Sequence, residues 1–162
     1  MWKHGLLCLL FCSTVMAQSK YGNAAKPGSM AHAQTGCPWL TEGSAAHALG
    51  GDVSVTAKVS DMGEGRCSFA RQQDSLEILV SKAALPTCPG GSTALKGVGN
   101  DALTCRHGEQ HSDSVEMISS RVRDFHFTIT LTARGEKMPA KPDDPQTDTL
   151  EQVAEQVAGS LY

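Results

Sequence analysis

The chain has 162 residues, with 14 Lys and Arg against 17 Asp and Glu and a net charge of −3 when the histidines are neutral. That length suits one domain with a real core, since a chain of roughly 150 residues removes about 68–70% of its unfolded surface from water. The mild acidity argues against a nucleic-acid binder, which usually carries a basic stripe. A content of 40% apolar and 19% charged residues argues against both a disordered tail and a multi-pass membrane protein.

Residues 1–17, MWKHGLLCLLFCSTVMA, combine a short cationic start (Lys3, with His4), an apolar run from Gly5 to Phe11 and small residues at the end. Val15-Met16-Ala17 fits the small-x-small rule of signal peptidase, so residues 1–17 read as a cleaved signal peptide. The apolar run is shorter than the roughly 20 residues a bilayer demands, and Phe11 before Cys12 is wrong for a lipidation signal. Nothing later in the chain reads as membrane-spanning. The expectation is therefore a soluble exported protein, periplasmic or extracellular, with no stable membrane span after cleavage.

Cleavage leaves four of the six cysteines, Cys37, Cys67, Cys88 and Cys105. An even number in an exported chain favours two disulfides. Four cysteines allow three pairings, among which the sequence alone does not choose. The sequential one, Cys37–Cys67 with Cys88–Cys105, is the expectation, because it ties the first helix to a strand and closes a Pro/Gly-rich loop. A cysteine zinc site is disfavoured by the lack of any CxxC pair.

Residues 18–36 are rich in Ala, Gly, Ser and Lys without apolar periodicity and read as a flexible leader. The domain spans 37–162. Thr41 is the expected N-cap of a short helix ending at Leu49, stopped by Gly50-Gly51. Val53, Val55, Ala57 and Val59 then alternate with polar residues as in a half-buried strand. The turn 61–65 leads to a second strand around Cys67-Ser68-Phe69, and 75–81 gives a third, with Leu76, Ile78 and Val80 on one face. An irregular loop is expected over 86–92, a strand over 101–106 and a polar turn after it. Strands 115–122 and 125–131 form a hairpin around Arg123-Asp124, with Phe125, Phe127, Ile129 and Leu131 facing one way.

A charged, Pro-rich linker (135–146) precedes the strongest helical signal. There Leu150, Val153, Ala154, Val157, Ala158 and Leu161 form one continuous stripe, with Asp148 as N-cap. The predicted architecture is α+β, an antiparallel sheet of about five or six strands with a short N-terminal helix and a C-terminal amphipathic helix packed on it.

Few residue patterns point to chemistry. Gly97-Val98-Gly99-Asn100-Asp101-Ala102 has the GxGxxA spacing of a dinucleotide site, but no strand precedes it and no helix follows, so a turn into a strand is the reading. Cys105, His107, Glu109, His111 and Asp113 are the tight group of metal-ligand types, and the stretch reads as a solvated turn; His107 and His111 are the residues on which weak metal binding would rest. His126 alternates with Thr128, Thr130 and Thr132 opposite the phenylalanines, forming a polar sheet face or the wall of a ligand groove. Arg121 and Arg123, with His126, are a candidate anion site, and His47 is expected at the surface. There is no GxSxG elbow and no carboxylate pair outside the linker. The reading is non-catalytic, with no cofactor, metal or catalytic residue assigned.

Cys37-Pro38-Trp39-Leu40-Thr41, then Ala48-Leu49-Gly50-Gly51, then Cys67-Ser68-Phe69 resembles a group of small exported bacterial proteins of unknown function. The 97–102 turn and Arg121-Val122-Arg123-Asp124 with Phe127 look like that group's later landmarks. The group is similar in plan to the disulfide-bonded extracellular sensor domains of some bacterial serine/threonine kinases and to related cell-wall lipoproteins. The resemblance implies an antiparallel sheet with flanking helices, two disulfides and a cleft for a ligand. This chain has no lipobox and no kinase domain, so signalling does not carry over. The leading expectation is an exported binding or sensor-type module of the cell envelope for an unknown small ligand. An envelope protein-interaction or structural factor is the alternative, and a metal-binding protein or hydrolase comes third.

Overall fold

The computed structural model describes residues 36–86, 88, 91–110, 113–134 and 145–162, with the backbone course alone for 107–110, 113 and 145–148. Its elements are α1 (Glu42–Leu49), β1 (Ser54–Val59), β2 (Gly65–Arg71), β3 (Asp74–Ser81), β4 (Thr93–Ala94), β5 (Asn100–Gln110), β6 (Asp113–Val122), β7 (Phe125–Arg134) and α2 (Pro145–Ser160). The strands form one sheet in the order β1-β2-β3-β7-β6-β5-β4, every adjacent pair antiparallel.

Period-two alternation sends one set of side chains from each strand under the helices. In register across the sheet, Ala57, Cys67, Ile78, Ile129 and Ile118 form one row of that face, and Val55, Phe69, Leu76 and Leu131 form the next. Phe69, Leu76, Ile78 and Ile129 are wholly buried. A one-residue slip between any two strands would turn such a row to the other face, so burial itself fixes the register.

Helix α1 begins as its sequence dictates. The Thr41 hydroxyl accepts a hydrogen bond from the Ser44 amide at 3.1 Å, and Gly50 stops the helix in the left-handed region at φ 73°. Ala45 and Leu49 turn inward beside Trp39 and Leu40. On α2, Leu150, Val153, Ala154, Val157 and Ala158 are buried and Leu161 is partly buried, the stripe read from the sequence. The helix packs on β6 and beside α1.

The sequential disulfides are present. Cys37–Cys67 ties the chain ahead of α1 to β2, and Cys88–Cys105 ties the β3–β4 connection to β5. That connection has to pass β7, β6 and β5 to reach the far edge. Cys105 pairs with Met117 on the face away from the helices, so the bridge holds the crossing segment over that face. Ser119 and Thr128 are buried there, at 7% and 8% exposure, on a face expected to be open and polar.

Three expectations need correction. The sheet has seven strands rather than five or six, because Thr93-Ala94, directly after the stretch that read as loop, adds a two-residue edge strand. The polar turn after Arg106 is short, since backbone pairing carries β5 to Gln110 and β6 back to Asp113 regardless of side-chain polarity. Helix α2 starts at Pro145 rather than after Asp148; proline's fixed φ suits a first helical position. The signal peptide and all of the leader but Gly36 lie outside the described residues, as do His111 and linker residues 135–144.

Candidate functional site

The two chain-adjacent strands β2 and β3 are joined by Gln72-Gln73, and the register places Arg71 opposite Asp74 at the end of the hairpin. Both follow the alternation of Phe69 and Leu76, so they emerge on the helix face just beyond the apolar rows. Across the sheet, β7 brings Leu131, Ala133 and Arg134 to the same end, and the C-terminus of α1 overhangs it. Together with His47 and Gly50 these residues line an open cleft of about 370 Å³.

Arg71 is held in place by a device built from the end of α1. Its guanidinium Nη1 donates to the Leu49 carbonyl at 2.9 Å, one of the helix-terminal carbonyls that lack an intrahelical donor. The rest of the guanidinium lies over Gly51, where a Cβ would stand 2.7 Å from Nε and 3.3 Å from Cζ. Gly51 does not have a left-handed φ. A side chain there would have to displace the Arg71 guanidinium; backbone conformation does not stand in its way.

Asp74 takes a different anchor. Its Oδ1 accepts the Arg134 amide at 3.1 Å, bracing β3 against the end of β7. Although paired in register, Arg71 and Asp74 do not form an ion pair within 4.0 Å. The cleft thus carries an anchored cation and an anchored anion beside Arg134 and His47, with Ala48 and the edges of the buried Leu49 and Leu131 as its apolar part. A second groove of about 310 Å³ runs between the helices, lined by Ser44, His47, Thr149, Gln152 and Gln156, so the exposed His47 borders both.

The sequence candidates are placed as follows. Cys37, Cys67, Cys88 and Cys105 are all consumed in bridges. His107 lies on β5 opposite Val115. Among the described residues no group of three or more His, Cys, Asp or Glu could hold a metal, and no helix is long and apolar enough to cross a membrane. Arg121 stands beside His126 in the β6–β7 register but pairs with Asp101 at 3.2 Å, while Arg123 lies over the Tyr162 ring at 5.6 Å. The two arginines therefore do not converge on one anion. Gly97 and Gly99 are left-handed and lead directly into β5, a turn into a strand.

Glu116 belongs to no sequence candidate. It lies on the helix face in the row of Leu131, is 1% exposed, and is ion-paired with Arg106 at 3.6 Å. Arg71, Asp74 and Arg134 were equally unmarked. For Arg71 and Asp74 the signal was present in the alternation, which continues two residues past Phe69 and begins two before Leu76, setting opposite charges on either side of the Gln-Gln turn. Compared with protein-family models, curated proteins and solved structures, the chain matches none.

Proposed function

We propose that the chain is an exported, non-catalytic binding or sensor-type module of the cell envelope, with its ligand in the cleft under the C-terminus of α1. The observation that carries the reading is the convergence in one cleft of Arg71 and Asp74, each held by a separate backbone anchor. Small-molecule sites are concave and hold a few placed polar groups that fix orientation; this cleft has those groups in a lining that is polar in the main. Export is supported by the two disulfides, which persist in oxidising compartments, and by the signal-like residues 1–17.

The test is intact mass spectrometry of the full chain after export to an oxidising compartment, in denaturing and native conditions. The denatured mass should show cleavage after Ala17 and the loss of four thiol protons. The native mass should show a retained small molecule, or a saturable mass gain on adding an envelope extract, that a cleft variant lacks. Four free thiols would remove the export argument, and a species that takes up nothing would remove the ligand.

Protein interaction is the second reading. It is favoured by Met62 and Tyr162, exposed at 62% and 64%. Both sit at the opposite end of the sheet, Met62 next to Gly63, which approaches Phe125, and Tyr162 under Arg123. Loss of a captured protein in a Met62→Ser, Tyr162→Ser double variant, with an empty cleft, would favour it.

A further inference from the structure

We infer that the cleft selects a zwitterion, a free α-amino acid or a ligand presenting the same pair of charges, with its carboxylate on Arg71 and its ammonium on Asp74. This rests on the reading of the cleft as the ligand site.

Guanidinium groups carry five N–H donors in a planar fork suited to carboxylates. Arg71 spends one on the Leu49 carbonyl, and the missing side chain at Gly51 leaves room for the rest of the guanidinium, so the fork is anchored at Nη1 before any ligand arrives. Asp74 likewise spends Oδ1 on the Arg134 amide and keeps Oδ2 for another donor. A hairpin-end pair in register would ordinarily collapse into a cross-strand ion pair. Here each partner is drawn to a different backbone group, and both face the same cleft. An anchored cation and an anchored anion lining one open space are complementary to a molecule that carries both charges. A simple anion would meet Asp74, and a simple amine would meet Arg71. Ala48 and the edges of the buried Leu49 and Leu131 give a small apolar surface for a side chain, and about 370 Å³ accommodates an amino acid of leucine size.

The matched probes are L-leucine, N-acetyl-L-leucine (no ammonium) and L-leucinamide (no carboxylate), titrated into the full chain as purified from an oxidising compartment and followed by amide chemical shifts in two-dimensional NMR. L-Leucine should move the amides of Gly50, Arg71, Asp74 and Arg134 saturably, and each blocked analogue should bind about tenfold more weakly or worse, as expected for losing a charge-assisted contact. Asp74→Asn keeps an oxygen for the Arg134 amide and should abolish the preference for L-leucine over N-acetyl-L-leucine only. Arg71→Gln should abolish the preference over L-leucinamide only. Gly51→Ala, which crowds the guanidinium from outside, should mimic Arg71→Gln in a chain whose well-dispersed spectrum reports an intact fold. Equal binding of all three probes, or preferences that survive the substitutions, overturns the zwitterion. N-acetylglucosamine, a neutral probe, separates the two levels. If it moves the cleft amides and L-leucine does not, the binding module stands and the zwitterion falls. If neither moves them, both fall.

Discussion

Removing the two bridges one at a time should destabilise the domain unequally. In the chain-entropy treatment, the Cys37–Cys67 loop, with a sequence separation of 30, contributes about 3.6 kcal/mol, and the Cys88–Cys105 loop, with a separation of 17, about 3.1 kcal/mol. Burial widens that gap. Cys67 is 0% exposed and sits in register between Ala57 and Ile78, so truncation to alanine also leaves a core void costing about 1 kcal/mol. Cys88 is half-buried in the crossing connection, and Cys105, though 3% exposed, lies outside the core cluster beneath the helices, so truncation there leaves no void in that core. The Cys37→Ala, Cys67→Ala variant should therefore lose about 4–5 kcal/mol and the Cys88→Ala, Cys105→Ala variant about 3 kcal/mol. Either is a large share of the roughly 5–15 kcal/mol that holds a domain together. Urea unfolding, followed by circular dichroism and by the fluorescence of buried Trp39, measures both. Amide exchange adds a local readout: the second variant alone should speed exchange around Cys105 and Met117, whose carbonyl lies 3.9 Å from the Cys88 sulfur. Equal losses, or a larger loss for the Cys88–Cys105 variant, would refute the assignment of one bridge to the core and the other to the strap. No change in either midpoint would refute the loop-closure reasoning itself.

Phe127→Ala removes one of the largest wholly buried side chains, in the row of Val80 and Ser120, and should cost about 3–5 kcal/mol in the same urea assay. Glu64 tests pH dependence. Its Oε1 accepts the Lys82 amide at 2.7 Å and the Ser81 hydroxyl at 3.2 Å, and the Lys82 amide chiefly holds its carboxyl below the ordinary 4.5, against the opposing pull of burial. A carboxylate with a depressed folded pKa contributes stability above its unfolded pKa and loses it as the pH falls through the folded value. The difference in thermal midpoint between the natural chain and Glu64→Gln should thus be present at neutral pH and fade below about pH 4.5; a constant difference down to pH 2 contradicts it. Gly99→Ala and Gly97→Ala form a matched pair. Both force a left-handed alanine, costing about 1–2 kcal/mol. At Gly99 the new Cβ would also stand 2.7 Å from the Arg121 carbonyl and 2.8 Å from the Ser120 hydroxyl, so Gly99→Ala should be the more destabilising of the two.

How much was legible depended on whether a residue's environment is set by its chain neighbours or by remote ones. Thr41 caps the amide of Ser44 three residues on, and the α2 stripe repeats within its own helix, so both followed from sequence. Val53 to Val59 and the phenylalanines of β7 alternate, and alternation names the buried face without naming the partner strand. What the sequence could not carry is the order β3-β7-β6-β5-β4, which parts β3 from β4 by three strands and sets the Cys88–Cys105 bridge on the face where Ser119 and Thr128 are buried, although its composition reads as solvated. Gly51 shows the same limit. Its amide completes the helix stop beside Gly50 by donating to the Ala46 carbonyl at 2.8 Å, but its lack of a side chain also serves Arg71, twenty residues away in sequence and 2.7 Å from its would-be Cβ.

The 97–102 turn shows the same dependence on remote context. In a dinucleotide site the glycines of GxGxxA let a backbone approach a pyrophosphate at a helix N-terminus. Here Gly99 lets the backbone approach the Arg121 carbonyl and the Ser120 hydroxyl, which donates to the Val98 carbonyl at 2.7 Å. The register shift between Asn100 and Leu103, with Asp101 left-handed at φ 56°, then re-aims β5 so that Ala102 joins the core beneath the helices. The spacing is therefore a record of where the chain turns tightly against its own sheet. A short glycine motif reports close approach, and only the element that follows decides whether the thing approached is a ligand or another strand.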